Sequence, residues 1–336
     1  MTIILSLLIL SLLILVHEWG HFLTAKKAGI QVYEFSIGMG PAIISKKIGE
    51  TKYSLRMFPL GGYVKMAGME PGDENNPRGF NKKSLFQRAA VISAGSLMNF
   101  LLAIVLFVFV FTVIGIPSTS NVVGEVMAHS PAAEAGLRSG DKILEIDGKK
   151  VNNWNDLVGV IHKNPGKKLE MIVQRDDTKF AVNVVPYLDS ERNVGLIGIK
   201  QSVEKQNLLH SIYLGVSNAL NIIYMIFWGL IKMIVGEIPA EVAGPVGIVS
   251  IIGDVARFGL ANILNFTAVL SLNLGLINLF PIPALDGSRL LFIFVEWLRG
   301  KPIDPQKENF IHFIGFAILL LIMLIVTYQD IIRIFG

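Results

Sequence analysis

Long apolar stretches constrain this chain more than any other feature of its sequence. They cover residues of about 3–25, 91–116, 260–280 and 310–327. A helix over the first stretch is about 34 Å long, enough to cross a hydrocarbon core of about 30 Å. Composition agrees, because 52% of the residues are hydrophobic and 17% are charged, against roughly 25% charged in soluble domains. We therefore predict a polytopic α-helical membrane protein with four transmembrane helices.

Charge between the first two stretches predicts their orientation. The alternative for residues 3–25 is a signal peptide, but no basic residue precedes this stretch and no small-residue cleavage site follows it. The loop at 26–88 carries eleven Lys and Arg against five Asp and Glu. Because basic loops stay in the cytoplasm, we expect the N-terminus outside and this loop inside.

Two regions between the spans have β character. Residues 53–66 alternate around Pro-Leu-Gly-Gly, which predicts a β-hairpin that needs support from the membrane bundle. Short Val- and Ile-rich runs at 122–126, 142–148, 169–175 and 180–186 predict strands, and a helix is expected at Trp154–His162. This β-rich domain follows the second span, so we expect it outside.

The first apolar stretch contains His-Glu-Trp-Gly-His at 17–21. Residues four apart share one helix face, so His17 and His21 can bind one metal ion while Glu18 reaches the water bound to it. Ionisable side chains inside an apolar span are costly unless they are paired, coordinated or hydrated. The chain has no cysteine, so a metal must be held by His, Asp or Glu. The pattern therefore predicts a zinc-hydrolase site.

A catalytic zinc ion takes three protein ligands and leaves its fourth position to water, so a further ligand is required. Asp286 is the candidate, because two prolines and Asp-Gly interrupt the end of the third apolar stretch in NLFPIPALDG, residues 278–287. Irregular backbone at membrane depth is tolerated where it is buried in protein or lines a cavity. The alternative is an aspartate in water just beyond the span.

The depth of the histidines decides the placement of residues 213–235, which are long and apolar enough to cross. His17 lies about 21 Å along the first helix from its outer end, towards the cytoplasmic side. Asp286 can join it only if the third span runs inward from the outer domain. A full crossing by 213–235 would reverse that direction, so we predict an interfacial or obliquely packed helix there.

These inferences divide the chain into four parts. We predict a first membrane half with a membrane-associated hairpin, an outer β-rich domain, an interfacial helical segment and a second membrane half, at residues 1–116, 117–206, 207–259 and 260–336.

The motifs resemble those of the site-2 protease family of intramembrane zinc metalloproteases, specifically its bacterial RseP-type branch. The resemblance covers nearly the whole chain and includes HEWGH, NLFPIPALDG, FSIGMGP (35–41), FPLGGYVKM (58–66) and GPVGI (244–248). Residues 130–151 resemble part of a PDZ domain, so the outer region is expected to be a single PDZ-like domain. The chain departs from the family at 94–99, where AGSLMN has serine in place of the frequent proline.

The resemblance implies a function. The enzyme would cleave peptide bonds within or near transmembrane segments of single-span membrane proteins, such as anti-sigma factors or remnant signal peptides, after another protease has cut them. It would lie in the bacterial cytoplasmic (inner) membrane, with its active site towards the cytoplasm and its PDZ-like domain outside. That domain could filter substrates or act as a spacer.

The resemblance also implies roles for individual residues. His17, His21 and Asp286 would bind Zn²⁺, and Glu18 would activate water. The unwound substrate backbone would be held by the NxxPxPxLDG motif and the hairpin glycines, namely Asn278, Pro281, Gly61 and Gly62.

Two other functions fit parts of the sequence. An inert membrane adaptor bearing a PDZ-like domain would need no metal, and a metal transporter would use the same ligands for transit. Nucleic acid is excluded as an expected partner, because the formal charge is only +4 and no basic stripe with interleaved aromatics occurs. His312, at the start of the fourth span, is expected to be interfacial.

Overall fold

The structure is a computed structural model that describes residues 2–70, 72–73, 75–190, 192–239 and 243–335, with all their side chains except those of Pro59, Leu60, Pro305 and Phe335. The helices are α1 (Thr2–Lys27), α2 (Leu85–Phe109), α3 (Pro131–Glu134), α4 (Trp154–His162), α5 (Leu208–Val235), α6 (Pro245–Ala256), α7 (Leu260–Leu279), α8 (Asp286–Arg299) and α9 (Pro305–Phe335). The strands are β1 (Val32–Ile48), β2 (Thr51–Met66), β3 (Ile116–Pro117), β4 (Val123–Val126), β5 (Lys142–Ile146), β6 (Lys149–Lys150), β7 (Leu169–Arg175), β8 (Thr178–Val184), β9 (Tyr187–Asp189), β10 (Val194–Leu196), β11 (Ile199–Gln201) and β12 (Val203–Glu204).

The chain forms two compact units. The first, the membrane unit, combines Met1–Val108 with Ile212–Gly336, and the second, the β-rich unit, covers Phe109–Ser211. The β-rich unit contains the region predicted at 117–206.

Five of the described helices are long and apolar enough to cross a membrane. They are Thr2–Lys27, Leu85–Ile114, Leu208–Val235, Leu260–Leu279 and Gln306–Ile334, where the second includes a π-helical turn after α2. Four coincide with the predicted spans. The remaining helix, Leu208–Val235, contains residues 213–235. Its length and composition allow a crossing, so the interfacial placement of these residues stays a prediction.

Apolar packing joins α1, α6 and α7 within the membrane unit. Ile9 and Leu13 of α1 are buried against Ile252 of α6, and α7 contributes further side chains to the same cluster. Small residues let α1 and α2 approach each other closely. A Cβ added at Gly20 of α1 would lie 2.3 Å from the carbonyl oxygen of Ala94 on α2. Close approach at glycine is a usual means of association between membrane helices.

Strands β1 and β2 pair differently from the predicted hairpin. Residues 42–48 pair with 51–56 across a tight turn, while Phe35 in the first part of β1 faces Tyr53 on one side and Val64 on the other. The two strands predicted around Pro-Leu-Gly-Gly are present, but the prediction that they pair with each other is wrong. The first part of β1 lies between them and satisfies backbone groups on both sides. β1 could not be foreseen, because its glycines and proline interrupt the alternation.

Glu50, in the turn between β1 and β2, ties this sheet to the end of α1. Its carboxylate accepts hydrogen bonds from Arg78 at 2.7 and 3.0 Å and from Lys26 at 2.6 Å. These bonds, Arg78 first, lower the pKa of Glu50 to about 2. The sheet is therefore anchored where α1 ends, ten residues or fewer from the His-Glu-x-x-His turn.

The β-rich unit contains a four-stranded antiparallel sheet in the order β6-β5-β7-β8. The strands and helix predicted from the Val- and Ile-rich runs are confirmed at β4, β5, β7, β8 and α4. Asn153 caps α4 by accepting a hydrogen bond from the backbone N–H of Asp156. Leu157 on this helix packs with Ile143, Met171 and other apolar side chains into a buried core.

Candidate metal centre

Three potential ligand atoms meet between α1 and the start of α8. The Nε2 atoms of His17 and His21 lie 3.1 Å apart, and each is 3.1 Å from Oδ2 of Asp286. Both histidines are buried, with exposed fractions of 8% and 6%. Among the described residues, this is the group of His, Asp and Glu side chains close enough to hold one metal ion.

One face of α2 supports both imidazoles. The Nδ1–H of His21 donates to the carbonyl oxygen of Val91 over 2.8 Å, and the side chain of Asn99 lies beside Nδ1 of His17. Gly95 stands between them, where an added Cβ would lie 2.4 Å from Nε2 of His21 and 2.7 Å from His17. Val91, Gly95 and Asn99 follow at intervals of four, so they form one stripe along α2.

The turn before α8 places Asp286. Ala284 adopts a positive φ of 77°, and its backbone N–H donates to Nδ1 of His312 over 3.2 Å. A Cβ added at Gly315 of α9 would meet Pro283 at 2.3 Å. The irregular backbone predicted for this segment is thus packed against α9, and His312 supports the turn rather than joining the three ligand atoms.

Glu18 and the three ligand residues line a cavity of about 570 Å³. Tyr63, Arg289 and His312 also face it. Gly62 lies directly behind Glu18, because a Cβ added there would be 3.2 Å from Cγ of Glu18 and 2.8 Å from the carbonyl oxygen of Ser36. The strand can approach Glu18 this closely only with glycine at that position.

The structure brings some of the predicted site residues together around the cavity and leaves others outside its lining. His17, Glu18, His21 and Asp286 share the cavity, whereas its lining does not include Asn278, Pro281, Gly61 or Gly62. Asn278 lies in the last turn of α7, and Pro281 is exposed in the following turn.

Sequence reasoning missed the contribution of α2. Gly95, Asn99 and the carbonyl of Val91 touch the histidines, but in the sequence residues 94–99 were noted only as a departure from the family motif, and no role at the site was predicted for them. The signal available in the sequence was an asparagine inside an apolar stretch, since amides within a membrane usually face the protein interior.

The donor set fits a zinc ion. Because His21 donates through Nδ1, the neutral ring presents its Nε2 lone pair to Nε2 of His17 and to a carboxylate oxygen. Lone pairs in such contact repel one another unless they share a cation or protons. Ligands about 2.0–2.2 Å from a tetrahedral zinc ion are about 3.3 Å apart, close to the separations observed.

Comparison with known proteins gives the family. The sequence model of peptidase family M50 matches residues 5–322. The chain belongs to peptidase family M50. The chain is 34% identical to the regulator of sigma-W protease RasP of Bacillus subtilis over 99% of each chain. It is 37% identical to a protein of Clostridium acetobutylicum named as a zinc metalloprotease, over 98% of this chain and 97% of that one.

The resemblance found in the motifs is therefore confirmed. This M50 peptidase is a zinc metallopeptidase and, with its several long apolar helices, a multi-pass membrane protein. The PDZ domain of an SdrC-like protein from Listeria monocytogenes matches 26% of the chain at 23% identity, with a TM-score of 0.23.

Proposed function

We propose that this peptidase cleaves peptide bonds within or near transmembrane segments of single-span membrane proteins. The meeting of His17, His21 and Asp286 beside Glu18, on helices whose outer faces are apolar, carries the proposal. We place this cavity within or at the edge of the membrane, where a substrate in the bilayer can reach it.

In the proposed mechanism, His17, His21 and Asp286 hold zinc, and Glu18 is the general base. When bound, zinc polarises the scissile carbonyl and lowers the pKa of water towards 7. The Glu18 carboxylate accepts a proton from the attacking water and returns it to the leaving amine. The hydrogen bond from His21 to the carbonyl of Val91 keeps the His21 ring turned so that its Nε2 faces Nε2 of His17 and Oδ2 of Asp286.

A substrate helix must unwind before attack, because its carbonyls are hydrogen-bonded. We infer that residues 61–66 offer an edge for the unwound strand, since they pair with β1 on one side and border the cavity at Tyr63 and Val64. Gly62 keeps this edge near Glu18, and Gly61, which precedes it, would contact the substrate strand. Asn278 and Pro281 would hold the strand from the end of α7.

For the topology we propose four crossings, an outer N-terminus and an outer PDZ-like β-rich unit in the bacterial cytoplasmic membrane. We place α5 obliquely because a full crossing would reverse the direction of α7 and separate Asp286 from the histidines. Gly215 approaches Val108 at the end of α2, Phe227 stacks on Phe280, and most of the helix is exposed. The Bacillus relative is named regulator of sigma-W protease RasP, so we propose anti-sigma factors, pre-cut by another protease, as substrates, with remnant signal peptides as the alternative.

Replacing Glu18 by Gln in the purified protein tests the function. We expect zinc to stay bound at one ion per chain, while cleavage of a single-span substrate in proteoliposomes falls at least about 10³-fold. His17→Ala, in parallel, is expected to lose zinc and cleavage together. Unchanged cleavage by Glu18→Gln would refute the assignment of the base.

A further inference from the structure

His17 and His21 differ in how their second ring nitrogen is held. Nδ1 of His21 has a backbone carbonyl as its partner at 2.8 Å. Nδ1 of His17 faces the side-chain amide of Asn99 instead, with the amide nitrogen 3.4 Å away, which is long for a hydrogen bond. A backbone carbonyl oxygen can only accept a hydrogen bond. A side-chain amide can face the ring either with its oxygen, which accepts, or with its nitrogen, which donates.

The role of His17 decides which end is required. Its Nε2 is one of the three potential ligand atoms. A neutral ring that offers the Nε2 lone pair to a metal carries its hydrogen on Nδ1. An amide nitrogen facing that position would set two N–H groups against each other. The amide oxygen Oδ1 is buried and has no hydrogen-bond partner within the described structure. A half-turn of the amide puts this oxygen where the nitrogen lies, 3.4 Å from Nδ1, and a slightly closer approach of the side chain then makes the missing bond.

The backbone of Asn99 is fixed well enough to support such a bond. The residue has no exposed surface, and its carbonyl oxygen accepts a hydrogen bond of 2.8 Å from Oγ of Ser271 on α7. Gly95, one turn earlier, lets α2 lie against both imidazoles. The backbone of Asn99 is therefore held in place beside His17, while its side-chain amide can rotate.

We propose that Asn99 is the positioning residue of His17, accepting a hydrogen bond from Nδ1–H through its side-chain oxygen and so directing Nε2 to the metal. This rests on the proposed function, because it takes His17 as a ligand. A polar partner of this kind fixes ring orientation and raises the basicity of the ligand, and its removal typically weakens metal binding about 10–100-fold.

The test compares Asn99→Leu with Asn99→Asp in the full-length protein. The measurement is the zinc dissociation constant, obtained by competition with a chromophoric chelator in detergent, together with the visible spectrum after cobalt loading. Leucine removes the acceptor at similar size, whereas aspartate keeps an acceptor and cannot donate when ionised. Thr267→Ala is the matched control, because it removes another buried hydroxyl of α7, one that donates to Ile263 of its own helix and not to Asn99.

We expect Asn99→Leu to bind zinc about 10–100-fold more weakly with an altered cobalt spectrum, and Asn99→Asp and Thr267→Ala to bind as tightly as the parent. A loss below about fivefold for Asn99→Leu, or an equal loss for both Asn99 variants, would overturn the proposal. If Asn99→Leu does not fold, Asn99→Asp decides alone, because a fivefold or larger loss there excludes the acceptor role. His17→Ala separates the two hypotheses, since zinc binding at the parent's affinity would refute the metal site itself.

Discussion

The two units differ in where their large apolar side chains lie and in which side chains fill their interior contacts. The core of the β-rich unit consists of apolar side chains such as Ile143, Leu157 and Met171. The membrane unit exposes large apolar side chains along α1, α5 and α9 and buries polar ones at its helix contacts. Those buried polar residues are Ser6, His17, His21, Ser96, Asn99, Thr267, Ser271, Ser288 and Asp330.

The difference follows from the surroundings of each unit. In water, burial of apolar area drives folding, so the β-rich unit depends on the volume of its core. In lipid, apolar burial gives no such gain, and close packing with polar contacts joins the helices. A substitution in the membrane unit should therefore act first on the geometry of the site, and one in the β-rich unit first on stability.

The largest expected effect is that of Gly95→Ala. Its Cβ would lie 2.4 Å from Nε2 of His21, so the rings or α2 must move. A displacement of about 1 Å can cost about 10²-fold in activity, and we expect a loss of this size in cleavage, with weaker zinc binding. Gly229→Ala on α5 is the control, because an added Cβ there meets nothing within 4 Å. Equal zinc affinity in both variants would contradict the close fit described for α2.

Leu157→Ala should lower the stability of the β-rich unit and leave zinc affinity unchanged, the opposite of what is expected for Gly95→Ala. Leu157 is fully buried in the core of the β-rich unit, so truncation should destabilise this unit by about 2–5 kcal/mol. Hydrogen exchange over residues 142–184 of the intact protein would measure the loss, and zinc affinity should stay at the parental value. Leu188→Ala, at a side chain that is 53% exposed, should change little. Loss of zinc from Leu157→Ala would break the proposed separation.

A smaller, pH-dependent effect is expected at Asp141. Burial alone would raise the pKa of this carboxyl, but hydrogen bonds from Arg175 and from the backbone of Arg138 hold it below its usual range. Since the folded pKa is lowered, its stabilisation is complete above the unfolded pKa of about 3.9 and is lost as the pH falls through the folded value.

Asp141→Asn should therefore destabilise the β-rich unit by about 1–3 kcal/mol at pH 7. The difference from the parent should shrink below about pH 4, because the unfolded parent then takes up a proton that the folded carboxyl does not bind until the pH reaches its lower pKa. Hydrogen exchange at both pH values would show this, and a difference that does not depend on pH would exclude the ion pair as its cause.

The same contrast explains what could be predicted from the sequence. His17, Glu18, His21 and Asp286 were identifiable because ionisable groups and prolines stand out in apolar stretches. The strands of the β-rich unit were identifiable because alternation and turns are local. The place of β1 between two parts of β2 was not, since its partners are up to 34 residues away. Gly95 and Asn99 were missed because their roles depend on another helix.

The smallest effect is expected from a glycine in the β-rich unit. Gly159 lies inside α4 and, unlike Gly95, has nothing within 4 Å of an added Cβ. Alanine loses less backbone entropy on folding, so Gly159→Ala should stabilise the β-rich unit by up to about 1 kcal/mol. Hydrogen exchange in α4 should slow, while zinc affinity and cleavage stay unchanged. The same substitution would then disable one unit and stabilise the other, because the helix of the membrane unit uses its glycine to approach the imidazoles and α4 does not. A destabilised Gly159→Ala variant would show that this glycine too is required for packing.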